Sequence, residues 1–192
     1  MGLNGRSYVD KRVEWTAEPS VPFIESTAEQ AWCAILTRCR FEKKAVSQLQ
    51  NKGLETFLPL VKQVHRWSDR RQVVEQPLFP GYCFVRLADS PARRLRVLQT
   101  VGVTGFVMMN GFPIPVPEQQ LEDVRLLLAH EIACRAYPFL KAGQRVRIRG
   151  GCLDGLEGIL VSENKDHSLV ISVESIQRSI ALRIDGYGIE VI

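Results

Sequence analysis

The 192-residue chain has only three histidines and none of the short motifs that build a hydrolytic or phosphate-binding site. His65 falls in a basic stretch, His130 at the end of a predicted helix and His167 in a polar turn, so each reads as a solvated surface histidine. G-x-x-x-x-G-K-[ST], G-x-S-x-G and H-E-x-x-H are all missing. The glycines of RGGCLDGLEG, residues 149–158, lack the strand-to-helix context of a dinucleotide fingerprint. No catalytic activity, cofactor or bound metal is expected. The five cysteines, Cys33, Cys39, Cys83, Cys134 and Cys152, contain no C-x-x-C pair and read as reduced, mostly packed thiols. No apolar run approaches the ~20 residues that span a bilayer, and MGLNGRSYVDKR lacks the apolar segment of a signal peptide. The expectation is a cytoplasmic protein that does not engage membranes.

What is present divides unevenly. The formal charge of +4 lies wholly before Phe139, where 18 basic residues face 14 acidic ones, against 7 and 7 after it. Such an excess is weak support for a polyanionic neighbour. Residues 1–29 mix charges, prolines and small polar residues without a period and read as a flexible tail. AWCAIL then suits a buried strand, and FEKKAVSQLQNKG places Phe41, Ala45 and Leu49 on one helix face, with Gly53 as terminator. LETFLPLV reads as a second strand, and KQVHRWSDRRQVVEQP as a long hairpin with its tip near Ser68–Arg71.

GYCFVRL is a further strand whose alternation puts Cys83, Val85 and Leu87 on one face and Tyr82, Phe84 and Arg86 on the other. Ser90 is a natural N-cap and Pro91 a natural first helical residue; Leu95 and Leu98 are expected inward, with Arg93, Arg94 and Arg96 outward. A short strand in VTGFVMM, a Pro-rich loop GFPIPVP and a helix over 118–129, burying Leu121, Val124 and Leu128, complete the first unit. This order predicts an α+β domain over 30–129, with helices on a mostly antiparallel sheet. Residues 130–138 read as a linker. Beyond it, Val146 and Ile148 alternate with arginines, and Ile180, Leu182 and Ile184 alternate with Ala181 and Arg183. With glycines for tight turns, residues 139–192 predict a small β-barrel. Arg66, Arg70 and Arg71 around Trp67 combine charge for phosphates with a ring for stacking.

Trp32-Cys33 in an opening strand, FPGY at 79–82 and GVTGFV at 102–107, followed by GQRVRIRGGCLDGLEGIL at 143–160, resemble the NusG family of transcription elongation factors. RWSDR and QPLFPGY lie nearer its specialised paralogues, of the RfaH, LoaP and UpxY type, than the housekeeping factor. The resemblance implies a NusG-type N-terminal α/β sandwich and a C-terminal SH3-like barrel carrying a KOW motif. It implies a monomer that binds the β′ clamp helices of RNA polymerase and suppresses pausing, through an exposed apolar patch that includes Trp32, Leu36, Phe79, Pro80, Tyr82, Phe84 and Met109. It further implies a gate-loop contact on the β subunit through Arg93 and Arg94, and proximity of Arg38, Arg40, Arg70 and Arg71 to nontemplate or upstream DNA. Ile176, Gln177 and Arg178 take the positions that touch Rho or a small-subunit ribosomal protein. A general factor coupled to Rho-dependent termination, and an RNA- or ribosome-binding protein working through the KOW barrel, are the alternatives. The Val- and Ile-rich strands predict a C-terminal unit that is β in the free protein.

Overall fold

A computed structural model describes residues 30–66, 71–140, 143–163, 166–184 and 186–192. The first unit is built on β1 (Gln30–Thr37), followed by helix α1 (Glu42–Asn51), β2 (Glu55–Phe57), β3 (Leu60–Arg66), β4 (Arg71–Pro77) and β5 (Tyr82–Ala88). Helix α2 (Pro91–Leu98), β6 (Val103–Phe106), β7 (Met108–Met109), β8 (Phe112–Pro113), β9 (Pro115–Val116) and α3 (Glu118–Ala129) complete it. The main sheet has the order β2-β5-β1-β6, with β9 also pairing β1, and all its pairings are antiparallel. The α+β expectation for this unit agrees with that arrangement.

Several local expectations change. LETFLPLV is not one strand: Pro59 lies between β2 and β3, and β3 leaves the main sheet to pair with β4 as a separate two-stranded ribbon. The tip of that ribbon lies outside the described residues. GFPIPVP is not merely a loop, since it supplies β8 and β9; β9 lines up with Trp32 and Cys33 at an edge, where proline's missing N–H is tolerated. In α2 it is Val97 that is buried, while Leu95 (54% exposed) and Leu98 face outward. Both ends of this short helix fix its rotation. The Ser90 hydroxyl accepts from the Arg93 N–H, and Lys52 Nζ donates to the Arg96 carbonyl and to Thr100. In α3, Leu121, Val124 and Leu127 are buried and Leu128 only half-buried.

The second unit contains β10 (Cys134–Tyr137), β11 (Gln144–Arg149), β12 (Glu157–Glu163), β13 (Asp166–Val173), β14 (Arg178–Arg183) and β15 (Gly188–Val191), with short 3-10 turns at Gly151–Leu153 and Glu174–Ile176. They form one antiparallel sheet in the order β10-β14-β13-β12-β11-β15, around a core that includes Val146, Ile148, Leu169, Ile171, Ile180 and Leu182. This segment is β, as its composition predicts. The stretch expected to be a linker is largely structured: its residues 134–137 are strand β10.

Two cores result. Cys33, Ile35, Leu49, Cys83, Val85, Leu87, Val97 and Phe106 fill the space between the main sheet and α1 and α2. Trp32, Phe79, Phe84 and the inner side chains of α3 fill the opposite face, continuous with the core of the second sheet. No helix among the described residues is long and apolar enough to cross a membrane.

Candidate polymerase-facing surface

The FPGY segment is a type II β-turn. The Tyr82 N–H donates to the Phe79 carbonyl at 3.1 Å, with Pro80 and Gly81 at the central positions and Gly81 at φ +82°. Its middle is held from both sides. The Gly81 N–H donates to the Glu42 carboxylate at 2.9 Å, and the Gly81 carbonyl accepts from the Thr37 N–H at 2.9 Å. Glu42 is buried, so its carboxylate serves this turn rather than solvent. The sequence reading missed it; the only signal is an acid opening α1 where its neighbours are lysines.

From this turn, strand alternation sends Cys83, Val85 and Leu87 into the helix-covered core, and Tyr82 and Phe84 to the other face. Phe84 stands edge-on to Phe79, with centroids 6.4 Å apart, and stacks on Phe57 at 6.1 Å. Arg125 of α3 lies 4.8 Å from the Phe57 ring centroid and 5.1 Å from that of Trp32, and Arg86 lies 6.0 Å from Trp32 on the same face. Arg86 is also held by Glu55 and Glu118, at 3.7 Å and 3.4 Å. The Trp32 Nε1 is buried with no hydrogen-bond partner.

This face is not open to solvent, which corrects the expectation of an exposed patch. Trp32 is 2% exposed, Phe79 3% and Phe84 0%, while Tyr82 and Leu36 are half-buried and Pro80 and Met109 exposed. Within the first unit α3 packs on this face, and the second sheet is the cover over the rest of it. Arg178 places its guanidinium 5.9 Å from the Tyr82 ring centroid, the Glu174 N–H donates to the Gln120 side chain at 3.2 Å, and Ile176 is 5% exposed within the shared core. Ile176 is therefore not an exposed contact residue either, whereas Gln177, at φ +49°, and Arg178 face outward. The two candidate partner surfaces thus meet one another. A cleft of about 620 Å³ runs beside this contact, lined among others by Gln119, Asp123, Arg145, Glu157 and Glu174. Burial pushes the Asp123 carboxyl above its usual range, and the negative charges of Glu157 on the facing sheet and Glu122 add to this; the Gln119 amide donating to it acts the other way.

The basic candidates lie elsewhere. Arg38 and Arg40 are exposed around Cys39 where β1 gives way to α1. Arg93 and Arg94 are half-buried on α2; Arg94 pairs with Asp89 at 2.8 Å and lies 5.8 Å from the Phe112 ring centroid. Arg71 opens β4 directly across from Arg66, and Arg70 falls outside the described residues. The buried thiols are poor nucleophiles: burial pushes Cys33 up to about 11 and Cys83 up to about 12. Cys33, Cys83 and the partly buried Cys134 agree with the expectation of mostly packed thiols, while Cys39 and Cys152 are exposed.

Comparison with known proteins bears on the same segment. The family model described as transcription termination factor NusG matches residues 30–125. The transcription termination/antitermination protein NusG of Borreliella burgdorferi is 27% identical over 182 residues, covering 84% of this chain and 98% of the relative. That of Lactococcus lactis is 28% identical over 175 residues, covering 84% and 93%. Among solved structures, one titled for the domain interaction in Thermotoga maritima NusG matches with a TM-score of 0.47 at 21% identity, covering 81% of this chain and 93% of that one.

Proposed function

The chain belongs to the NusG family of transcription termination and antitermination factors, and from that premise we propose that it binds RNA polymerase through the aromatic face of its first unit. The partner is the helical hairpin of the β′ clamp, and the outcome is suppressed pausing and antitermination. One observation carries the reading. The first unit already has a complete, mainly aliphatic core under α1 and α2, with Phe106 its one buried ring, yet it carries a second cluster rich in aromatics on the other face, around the FPGY turn. Trp32, Phe79, Tyr82 and Phe84, with Leu36, Pro80 and Met109 at the rim, are the anchors this reading uses. Aromatics dominate the energetics of such interfaces. The cover must move aside before a helical hairpin reaches them, so the closed arrangement is the resting form.

On the same reading the second unit is the family's SH3-like KOW module and presents Gln177 and Arg178 to Rho or a ribosomal protein once it is released. Arg93 and Arg94 meet the β gate loop, and Arg38, Arg40, Arg70 and Arg71 approach DNA phosphates. Direct RNA binding by the second unit has less support: Arg147 and Arg149 are matched by Glu157 and Glu190.

Tyr82→Ala tests the reading with least damage to the fold, because Tyr82 is only half-buried. Affinity for core RNA polymerase, measured by fluorescence anisotropy on a labelled chain, is expected to fall at least about tenfold, as loss of an aromatic anchor does. A folded Tyr82→Ala chain that binds with unchanged affinity sinks the proposal.

A further inference from the structure

The junction between the two units has almost no free length. Helix α3 ends in a Schellman turn: the Glu131 N–H donates to the Leu128 carbonyl at 3.1 Å, and the Ile132 N–H to the Leu127 carbonyl at 3.0 Å. Glu131 takes the left-handed position at φ +50°, its carboxylate 2.6 Å from Lys62 Nζ on β3, and Ile132 is packed against the core. Everything through Ile132 therefore belongs to the first unit. Strand β10 begins at Cys134, paired with β14 in the register Cys134–Leu182 to Tyr137–Ser179. Only Ala133 lies between.

One residue reaches ~3.5 Å, whereas a helix with its side chains is ~10–12 Å across. Either the Schellman turn or β10 has to give way for the cover to clear the aromatic face. The turn is fastened by two backbone bonds, an ion pair and the burial of Ile132. Strand β10 is four residues long, sits at the edge of its sheet and ends at Pro138, and its Arg135 and Ala136 are exposed. Without it, β14 keeps β13 as partner and Ile180 and Leu182 stay inside the core. Short edge elements of this kind open before the body of a sheet.

We propose that β10 is a releasable strand, paired with β14 while the second sheet covers the aromatic face and let out as linker when a helical partner takes that face. Release frees residues 133–137 and extends the reach to ~17 Å. The inference rests on the polymerase reading above for its trigger, and it assigns the 134–137 segment two alternating states.

The test is hydrogen exchange on the full chain, alone and with saturating core RNA polymerase, beside a variant carrying eight Gly and Ser residues inserted between Ala133 and Cys134. In the unmodified chain, polymerase is expected to cut the protection of the β10 amides at least about tenfold, with β12–β14 unchanged. In the lengthened chain β10 stays protected and polymerase binds at least as tightly. An unmodified chain that binds polymerase with β10 still protected overturns the inference and leaves the functional reading standing, as does loss of β10 protection in the lengthened variant. Failure of both chains to bind polymerase overturns the functional reading and this inference with it.

Discussion

The two faces of the main sheet are made from the same strands and differ in nearly every chemical respect. Toward α1 and α2 the side chains are mainly aliphatic or thiol, with Cys33, Ile35, Cys83, Val85 and Leu87 closed in by Leu49, Val97 and the single ring of Phe106. Toward α3 they are aromatic, interleaved with Arg86 and Arg125, and the burial is completed by a second sheet. An aliphatic face packs once and is finished. Aromatic rings beside guanidinium groups suit a surface that changes partner, since both tolerate partial exposure. The contrast separates a core that makes the fold from a core lent to whichever partner is docked.

The sharpest way to break that contrast is to empty each face in turn. Phe84→Ala and Ile35→Ala should each lower stability in urea unfolding, by about 3–5 and about 2–5 kcal/mol. Only Phe84→Ala should also speed hydrogen exchange at 174–178, where the second sheet rests on the aromatic cluster. Equal exchange there in both variants would mean that the two faces are not independent. Arg178→Ala has a smaller effect. It removes a cation 5.9 Å from the Tyr82 ring centroid and should weaken closure by about 0.5–1 kcal/mol, read as faster exchange across the domain contact with unfolding of the first unit unchanged.

Asp123 gives the smallest effect and a sign to check. Its carboxyl is raised in the closed form by burial first, with the facing Glu157 adding to it. A raised acid stabilises the state in which it is protonated, so closure is favoured most below the ordinary value of 3.8. It weakens as pH rises through that value and the raised one, and the penalty is complete at neutral pH. Asp123→Asn should therefore tighten closure slightly at neutral pH and flatten its dependence as pH rises above 3.8, measured by the same exchange readout.

Much of the fold was legible because it depends on local rules. The Ser90-Pro91 helix start, the alternation in GYCFVRL and the β character of the C-terminal third are consequences of backbone sterics and side-chain period. The inward side of α2 was not, since Leu95 and Leu98 make as good a stripe as Val97, and the ties from Lys52 to Arg96 and Thr100 reach across 44 and 48 residues. The same distance hides Glu42, whose use appears only when Gly81 arrives from 39 residues away.

For the candidate site, residue types and strand phase alone determined that Tyr82 and Phe84 stand opposite Cys83 and Val85. An alternating backbone leaves no other choice. What the tertiary structure decided is that this aromatic face is covered, that Ile176 and Arg178 belong to the cover, and that one free residue joins the two units. These are matters of which surfaces meet, and burial of apolar area, being non-directional, is not written in the period of any one segment.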